Sequence, residues 1–80
     1  MDIVFVKYWH PELGSYCGRM YTYKTELPLK IGDKVIAPTK NEPRQRAVVT
    51  ATHLHASVID KKWEKDVKFI TEYDKTEVQA

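Results

Sequence analysis

The fold is decided by residues 21–38, YTYKTELPLKIGDKVIAP, and by residues 46–52, RAVVTAT, which follow after a polar loop. Short runs of β-branched and aromatic residues predict strands. Gly32 supplies the positive φ that a turn needs, and Pro28 and Pro38 end strands because proline cannot donate a ladder hydrogen bond. This succession of strand, turn, strand, loop and strand is typical of a small closed sheet.

The flanking segments extend the same pattern. Residues 2–9 and 19–25 predict a β-hairpin around a long loop, and residues 46–56 form the longest predicted strand. The apolar spacing then changes to four, four and three, which predicts one face of a helix over about residues 58–66, followed by a short extended segment. The residues on that face are Ile59, Trp63, Val67 and Ile70.

These elements predict a mainly β fold with one short helix. Four to six short strands expose their edges in a flat sheet, so we expect them to close into a small SH3-like or OB-like barrel. We expect residues 1–74 to form a single domain and residues 75–80 to be a frayed tail. The predicted core residues are Ile3, Phe5, Val35, Val49, Trp63 and Ile70.

Composition narrows the class of protein. The 80 residues carry a net charge of +2, which permits a polyanionic partner without requiring one. Cys17 is the single cysteine, which excludes an internal disulfide and fits a reducing cytoplasm. No stretch approaches the roughly 20 apolar residues that span a bilayer. We therefore expect a cytoplasmic protein with no membrane partner and leave its oligomeric state open.

Few residues suggest catalysis or metal binding. His53 and His55 lie two apart on a predicted strand, and Cys17 would complete a possible cluster. However, no paired metal-ligand spacing occurs, and no glycine-rich phosphate loop is present. An enzyme would need these three side chains gathered in one pocket. We expect a binding module that is not an enzyme, with no catalytic residue, no metal site and no cofactor.

Aromatic and basic residues in the middle of the chain suggest nucleic-acid binding. Exposed rings on which bases stack, flanked by cations that pair with phosphates, are how small barrels hold single strands. We therefore predict weak binding of single-stranded nucleic acid or strand ends. The predicted footprint is Tyr21, Tyr23, Lys24, Lys40, Arg44 and Arg46.

Part of this stretch resembles a known family. The matching residues are Tyr21, Tyr23, Leu27, Leu29, Gly32, Asp33, Val35, Pro38 and residues 47–49. They resemble the opening of the N-terminal 3′-DNA-end-binding domain of the primosomal replication-restart helicases, and also short stand-alone proteins of Gram-positive bacteria and their phages. The resemblance covers residues 21–52 and implies a small barrel, a leaning towards DNA and a phage or mobile-element origin. Arg46 and Ala47 depart from it, because the helicase domain has a glycine there.

A second hypothesis is a protein-interaction module, an adaptor or inhibitor that docks on a larger host protein. Trp9, Tyr16 and Trp63 would then be the anchors, because aromatic side chains dominate the binding energy of many protein interfaces. The sequence leaves both hypotheses open, together with the identity of the partner.

Overall fold

The computed structural model describes residues 1–75, so the predicted frayed tail lies outside the described residues except for Lys75. Its strands are β1 (Asp2–His10), β2 (Ser15–Thr25), β3 (Lys34–Ile36), β4 (Arg46–Ala51) and β5 (Phe69–Ile70). Two 3₁₀ helices, Ala56–Val58 and Lys61–Asp66, connect β4 to β5.

The strands form one sheet in the order β3-β4-β1-β2-β5. Neighbours are antiparallel except β2 and β5, which are parallel. The sheet curls until its ends nearly meet: Val35 of β3 bridges Tyr73, and the Asp74 amide donates to the Lys34 carbonyl oxygen at 2.9 Å. The predicted mainly β, barrel-like fold is therefore confirmed, whereas the assignment to an SH3-like or OB-like family stays a prediction.

Alternation along the strands places one face of the sheet in the core. Successive side chains point to opposite faces, so Val4 and Val6 of β1 point inward while Phe5 lies on the other face and is half-buried. The core cluster consists of Val4, Val6, Tyr23, Leu29, Val35, Ala37, Ala47, Val49 and Ile70. The predictions for Val35, Val49 and Ile70 are confirmed, and Ile3 is buried outside this cluster.

The prediction of Trp63 in the core is wrong, and the short helix predicted over about residues 58–66 is a 3₁₀ helix at Lys61–Asp66. Trp63 is 58% exposed, and neither 3₁₀ helix has a buried residue. A 3₁₀ helix has three residues per turn, so side chains spaced four apart do not share one face. The second 3₁₀ helix starts where the Asp60 carboxylate accepts a hydrogen bond from the Lys62 amide at 3.1 Å.

Two strand boundaries also differ from prediction. β4 ends at Ala51 instead of residue 56, because His53 has a φ of 56°, which no strand accommodates. β2 begins four residues earlier than predicted, at Ser15. Its pairing with β1 continues through a register shift, which Gly18 permits by adopting a φ of 93°.

Candidate binding groove

Three tyrosines meet on the inner side of the β1–β2 hairpin. The rings of Tyr8 and Tyr21 stack with centroids 4.2 Å apart and planes 8° from parallel. The hydroxyls of Tyr8 and Tyr23 share a hydrogen bond of 2.7 Å, and the Tyr23 hydroxyl donates to the Pro38 carbonyl oxygen at 2.8 Å. Tyr23 is 4% exposed, so it is the buried member of this group.

Burial sets the ionisation of this tyrosine group. It raises the pKa of Tyr23 above its ordinary value of 10.0, and the hydrogen bond shared with Tyr8 adds to the effect. Burial also raises the pKa of Tyr8, against a smaller lowering by its hydrogen bond with Tyr23. Both hydroxyls are therefore neutral at physiological pH and act as hydrogen-bonding groups.

Two adjoining clefts lie over this cluster. The first, of about 240 Å³, is bordered by Tyr8, Tyr21, Lys40 and Lys68. The second, of about 410 Å³, lies between residues 19–22 of β2 and the 3₁₀ helices. The residues shared by the two clefts are Tyr21, Thr22 and Asp66. We call the two clefts together the edge groove.

The edge groove collects exposed apolar side chains. Met20, Tyr21, Val58 and Trp63 all line the second cleft and are between 36% and 58% exposed. Large apolar side chains that share one exposed cleft mark an interaction surface more often than scattered ones do.

Charges of both signs border the edge groove. The Arg19 guanidinium lies 5.8 Å from the centroid of the Tyr21 ring, on the β2 side. Asp60 and Asp66 line the wall that the 3₁₀ helices form. The second cleft therefore has a cation on one wall and two carboxylates on the other, whereas the first cleft has Lys40 and Lys68 beside Asp66.

A second aromatic surface lies around Trp9 and Tyr16, whose ring centroids are 4.9 Å apart. The Arg46 guanidinium lies 5.3 Å from the Trp9 ring, and the Lys34 ammonium lies 5.6 Å from the Tyr16 ring. We call these four residues the capped face. Arg46 also donates from Nε to Oδ2 of Asp74 at 2.6 Å, and the Asp74 side chain is fully buried.

The predicted nucleic-acid footprint is divided among several surfaces. Tyr21, Tyr23 and Lys40 line the first cleft, although the burial of Tyr23 prevents its ring from stacking on a base. The two arginines border a different cleft beside Trp9. There Arg46 pairs with Asp74, and Arg44 Nη1 lies 2.7 Å from Glu72 Oε2. Lys24 lines a fourth cleft.

The predicted protein-interaction anchors are divided as well. Trp63 lies in the edge groove, whereas Trp9 and Tyr16 belong to the capped face. The sequence patterns did not indicate Met20 or Val58 as surface residues. Their exposure depends on the register shift in β2 and on the path of the 3₁₀ helices, which local sequence does not specify.

The candidate catalytic residues have separate, local contacts. His53 Nδ1 lies 3.1 Å from Asp2 Oδ2, and His55 Nδ1 accepts from the Ser57 amide at 3.1 Å. Cys17 is a free, half-buried thiol in β2. Within residues 1–75, no three His, Cys, Asp or Glu side chains gather closely enough to hold a metal ion.

The chain matches no protein-family model, no curated protein and no solved structure. The resemblance to the helicase domain thus stays a prediction. None of the helices in the described part of the chain is long and apolar enough to cross a membrane.

Proposed function

We propose that the protein is a non-catalytic binding module whose edge groove holds a segment of another protein. The exposure of Met20, Val58 and Trp63 in one cleft carries this proposal. Aromatic side chains and methionine are enriched in the buried centres of protein interfaces. Covering these three side chains would remove apolar surface from water, which is the main favourable term in protein association.

The charges favour a protein over nucleic acid as the partner. Arg44 and Arg46 are ion-paired with Glu72 and Asp74, so a phosphate would have to compete with carboxylates already in place. Asp60 and Asp66 have no such basic partner among the ion pairs of residues 1–75, and they would repel a phosphate backbone in the second cleft. A protein segment with mixed charge would neither need to displace these carboxylates nor be repelled by Asp60 and Asp66.

Single-stranded nucleic acid is the second candidate, and one observation favours it. The stacked pair of Tyr8 and Tyr21 borders the first cleft together with Lys40 and Lys68. A base stacked near this pair would have two ammonium groups available for its phosphates. In this arrangement, Tyr21 and Lys40 of the predicted footprint are retained, and Lys68 is added to them.

Two further proposals rest on the sequence. The single cysteine, Cys17, supports a cytoplasmic location, because free thiols persist in a reducing compartment. The resemblance of residues 21–52 supports an origin in a phage or mobile element.

An affinity-capture experiment with matched surface variants tests the choice of partner. One bait carries Met20→Ala with Trp63→Ala in the edge groove. The control bait carries Leu13→Ala with Ile31→Ala, two exposed apolar residues that do not line it. Each bait is used with and without nuclease, at low and at high salt.

We expect a stoichiometric protein that survives nuclease and high salt, binds the control bait and is lost from the groove bait. Loss on nuclease treatment or at raised salt would support nucleic acid instead, because phosphate contacts weaken steeply with salt. A partner retained by both baits would contradict the assignment of the edge groove as the binding site.

A further inference from the structure

The edge groove follows the edge of β2 and not its face. A sheet face contributes alternate residues to a surface, because successive side chains point to opposite sides. The second cleft is instead lined by four consecutive residues, 19–22, and the first by three, 21–23. Consecutive residues border a cleft only where it lies alongside the strand, so the floor of the groove includes the backbone of β2.

This edge of β2 has open hydrogen-bonding positions. β5 pairs with β2 only at Lys24 and Thr25, and the Lys24 amide donates to the Lys68 carbonyl oxygen at 3.1 Å. On the N-terminal side of Lys68, the chain forms the second 3₁₀ helix, Lys61–Asp66, and no longer pairs with β2. Within residues 1–75, no other strand pairs with this side of β2.

Thr22 borders the groove at a point where its backbone is directed away from β1. It lies two residues from Lys24 in an unbroken register with β1. Backbone groups alternate in direction along a strand, so the N–H and C=O of Thr22 point to the same side as those of Lys24. Thr22 also lines both clefts. Its amide and carbonyl are therefore a donor and acceptor pair inside the groove.

We propose that the protein segment held by the edge groove is an extended peptide that adds a strand to β2 beside Thr22. This inference rests on the proposed function, since it specifies the form of the partner that the groove holds. Backbone hydrogen bonds to Thr22 supply affinity that is independent of sequence, and side-chain pockets supply specificity. Alternate side chains of the peptide face Met20 and Trp63, which requires large apolar residues at every second position.

Charge complementarity identifies one further residue of the peptide. Asp60 and Asp66 lie on the wall opposite β2, and Asp66 borders both clefts. A Lys or Arg of the peptide directed to this wall gains a charge-assisted hydrogen bond. Arg19 on the β2 wall disfavours a basic residue there. The occupant is thus an extended segment with alternating apolar residues and a basic side chain on one side.

A display library of random linear peptides of about ten residues, long enough for one strand, tests this inference on the full chain. We expect the enriched peptides to alternate apolar and polar residues and to contain Lys or Arg. One enriched peptide is then synthesised with a fluorophore, and its affinity is measured for Thr22→Pro, Trp63→Ala, Asp66→Asn and the control Leu13→Ala.

Thr22→Pro removes the outward N–H and should weaken binding about tenfold or more, because the partner carbonyl is left unsatisfied. Thr22→Ala keeps the N–H and should bind like the unmodified chain. Trp63→Ala and Asp66→Asn should weaken binding, and Leu13→Ala should not. Thermal melting checks that Thr22→Pro folds. Slower hydrogen exchange of the Thr22 amide on adding peptide to the unmodified chain gives the same information without any substitution.

The outcomes separate this inference from the proposed function. Binding that requires Trp63 but tolerates Thr22→Pro, with no change in Thr22 exchange, would overturn strand addition and leave the groove as the site. Apolar residues spaced three and four apart in the selected peptides would do the same, since they indicate a helix. A library without enrichment, or peptides insensitive to Trp63→Ala, would overturn both. Protection of Thr22 by self-association at raised concentration would show that a second copy occupies the edge.

Discussion

The capped face and the edge groove are built from the same residue types. They differ in how many of their side chains are already paired with other groups of the chain. In the capped face, the cations Lys34 and Arg46 lie over the rings of Tyr16 and Trp9. Arg46 is further fixed by the buried carboxylate of Asp74. The rings, cations and acids of this surface therefore contact one another within the chain.

In the edge groove, Tyr8, Tyr21 and Arg19 also contact one another, but other apolar and acidic side chains face solvent. Trp63 and Met20 are more than half exposed, and Asp66 forms no ion pair among residues 1–75. Interactions completed within a chain contribute to its stability, whereas groups left exposed can contribute to binding. We therefore expect substitutions in the capped face to change the free energy of unfolding, and substitutions of the exposed groove residues Met20, Trp63 and Asp66 to change affinity for a partner.

The largest effect on stability should come from Arg46→Met. This change removes a 2.6 Å hydrogen bond to the fully buried Asp74 carboxylate and the contact with Trp9. A hydrogen bond to a charged group contributes about 2 kcal/mol, and a buried carboxylate that loses one costs at least as much. Urea unfolding at pH 7 should show a loss of about 2 kcal/mol or more.

The chain offers a matched control for this prediction. Arg44 pairs with Glu72 at 2.7 Å, with the same separation in sequence as Arg46 and Asp74, but both partners are largely exposed. Exposed ion pairs contribute about 0–1 kcal/mol, so Arg44→Met should have a much smaller effect that vanishes at high salt. Equal losses for the two variants would mean that burial does not distinguish the pairs.

The sequence was sufficient to predict the strands and several of the core residues, because alternation and turn residues are local signals. Val35 is an example, since its strand lies between Gly32 and Pro38, and Val49 is buried by alternation with Ala47. Trp63 shows where this reasoning fails. Its spacing fits an α-helical face, but the segment forms a 3₁₀ helix outside the core. That outcome depends on how closely the segment packs on the sheet, which the spacing of residues does not reveal.

The candidate site was harder to predict than the fold for the same reason. Tyr21 and Tyr23 share a face and a residue type, yet Tyr23 is buried and bonds to the Pro38 carbonyl oxygen, while Tyr21 is 36% exposed. Arg46 appears basic and available in the sequence, but chain closure brings Asp74 to it from 28 residues away. Contacts across the nearly closed sheet determine which side chains stay accessible. Local sequence patterns do not predict these contacts.

Tyr23→Phe should have the next largest effect and tests whether the ring beneath the edge groove is structural. The change removes a buried hydroxyl that donates to Pro38 and bonds to Tyr8. A buried hydrogen bond and an acceptor left unsatisfied together contribute about 1–2 kcal/mol. Chemical unfolding at pH 7 should show this loss. Unchanged stability would mean that Tyr23 is not a structural support.

The pH dependence gives a second measure of the same residue. The pKa of Tyr23 is raised in the folded state, so its contribution is complete below the ordinary tyrosine pKa of 10.0. Above that pH the unfolded chain ionises first and the free energy of unfolding falls, by up to about 1.4 kcal/mol per pH unit for this residue. Tyr23→Phe should therefore show a shallower loss above pH 10.

The smallest effects come from comparing the two tryptophans directly. Trp9→Ala removes a ring that contacts Tyr16 and Arg46, and such aromatic and cation–π contacts should cost about 1 kcal/mol or more. Trp63→Ala removes an exposed side chain, so the free energy of unfolding should change by no more than about 0.5 kcal/mol. Urea unfolding of both variants, followed by circular dichroism, gives the two values on one scale. A greater loss for Trp63→Ala would reverse the roles of the two surfaces, because Trp63 would then stabilise the fold and the edge groove would have no anchor free for a partner.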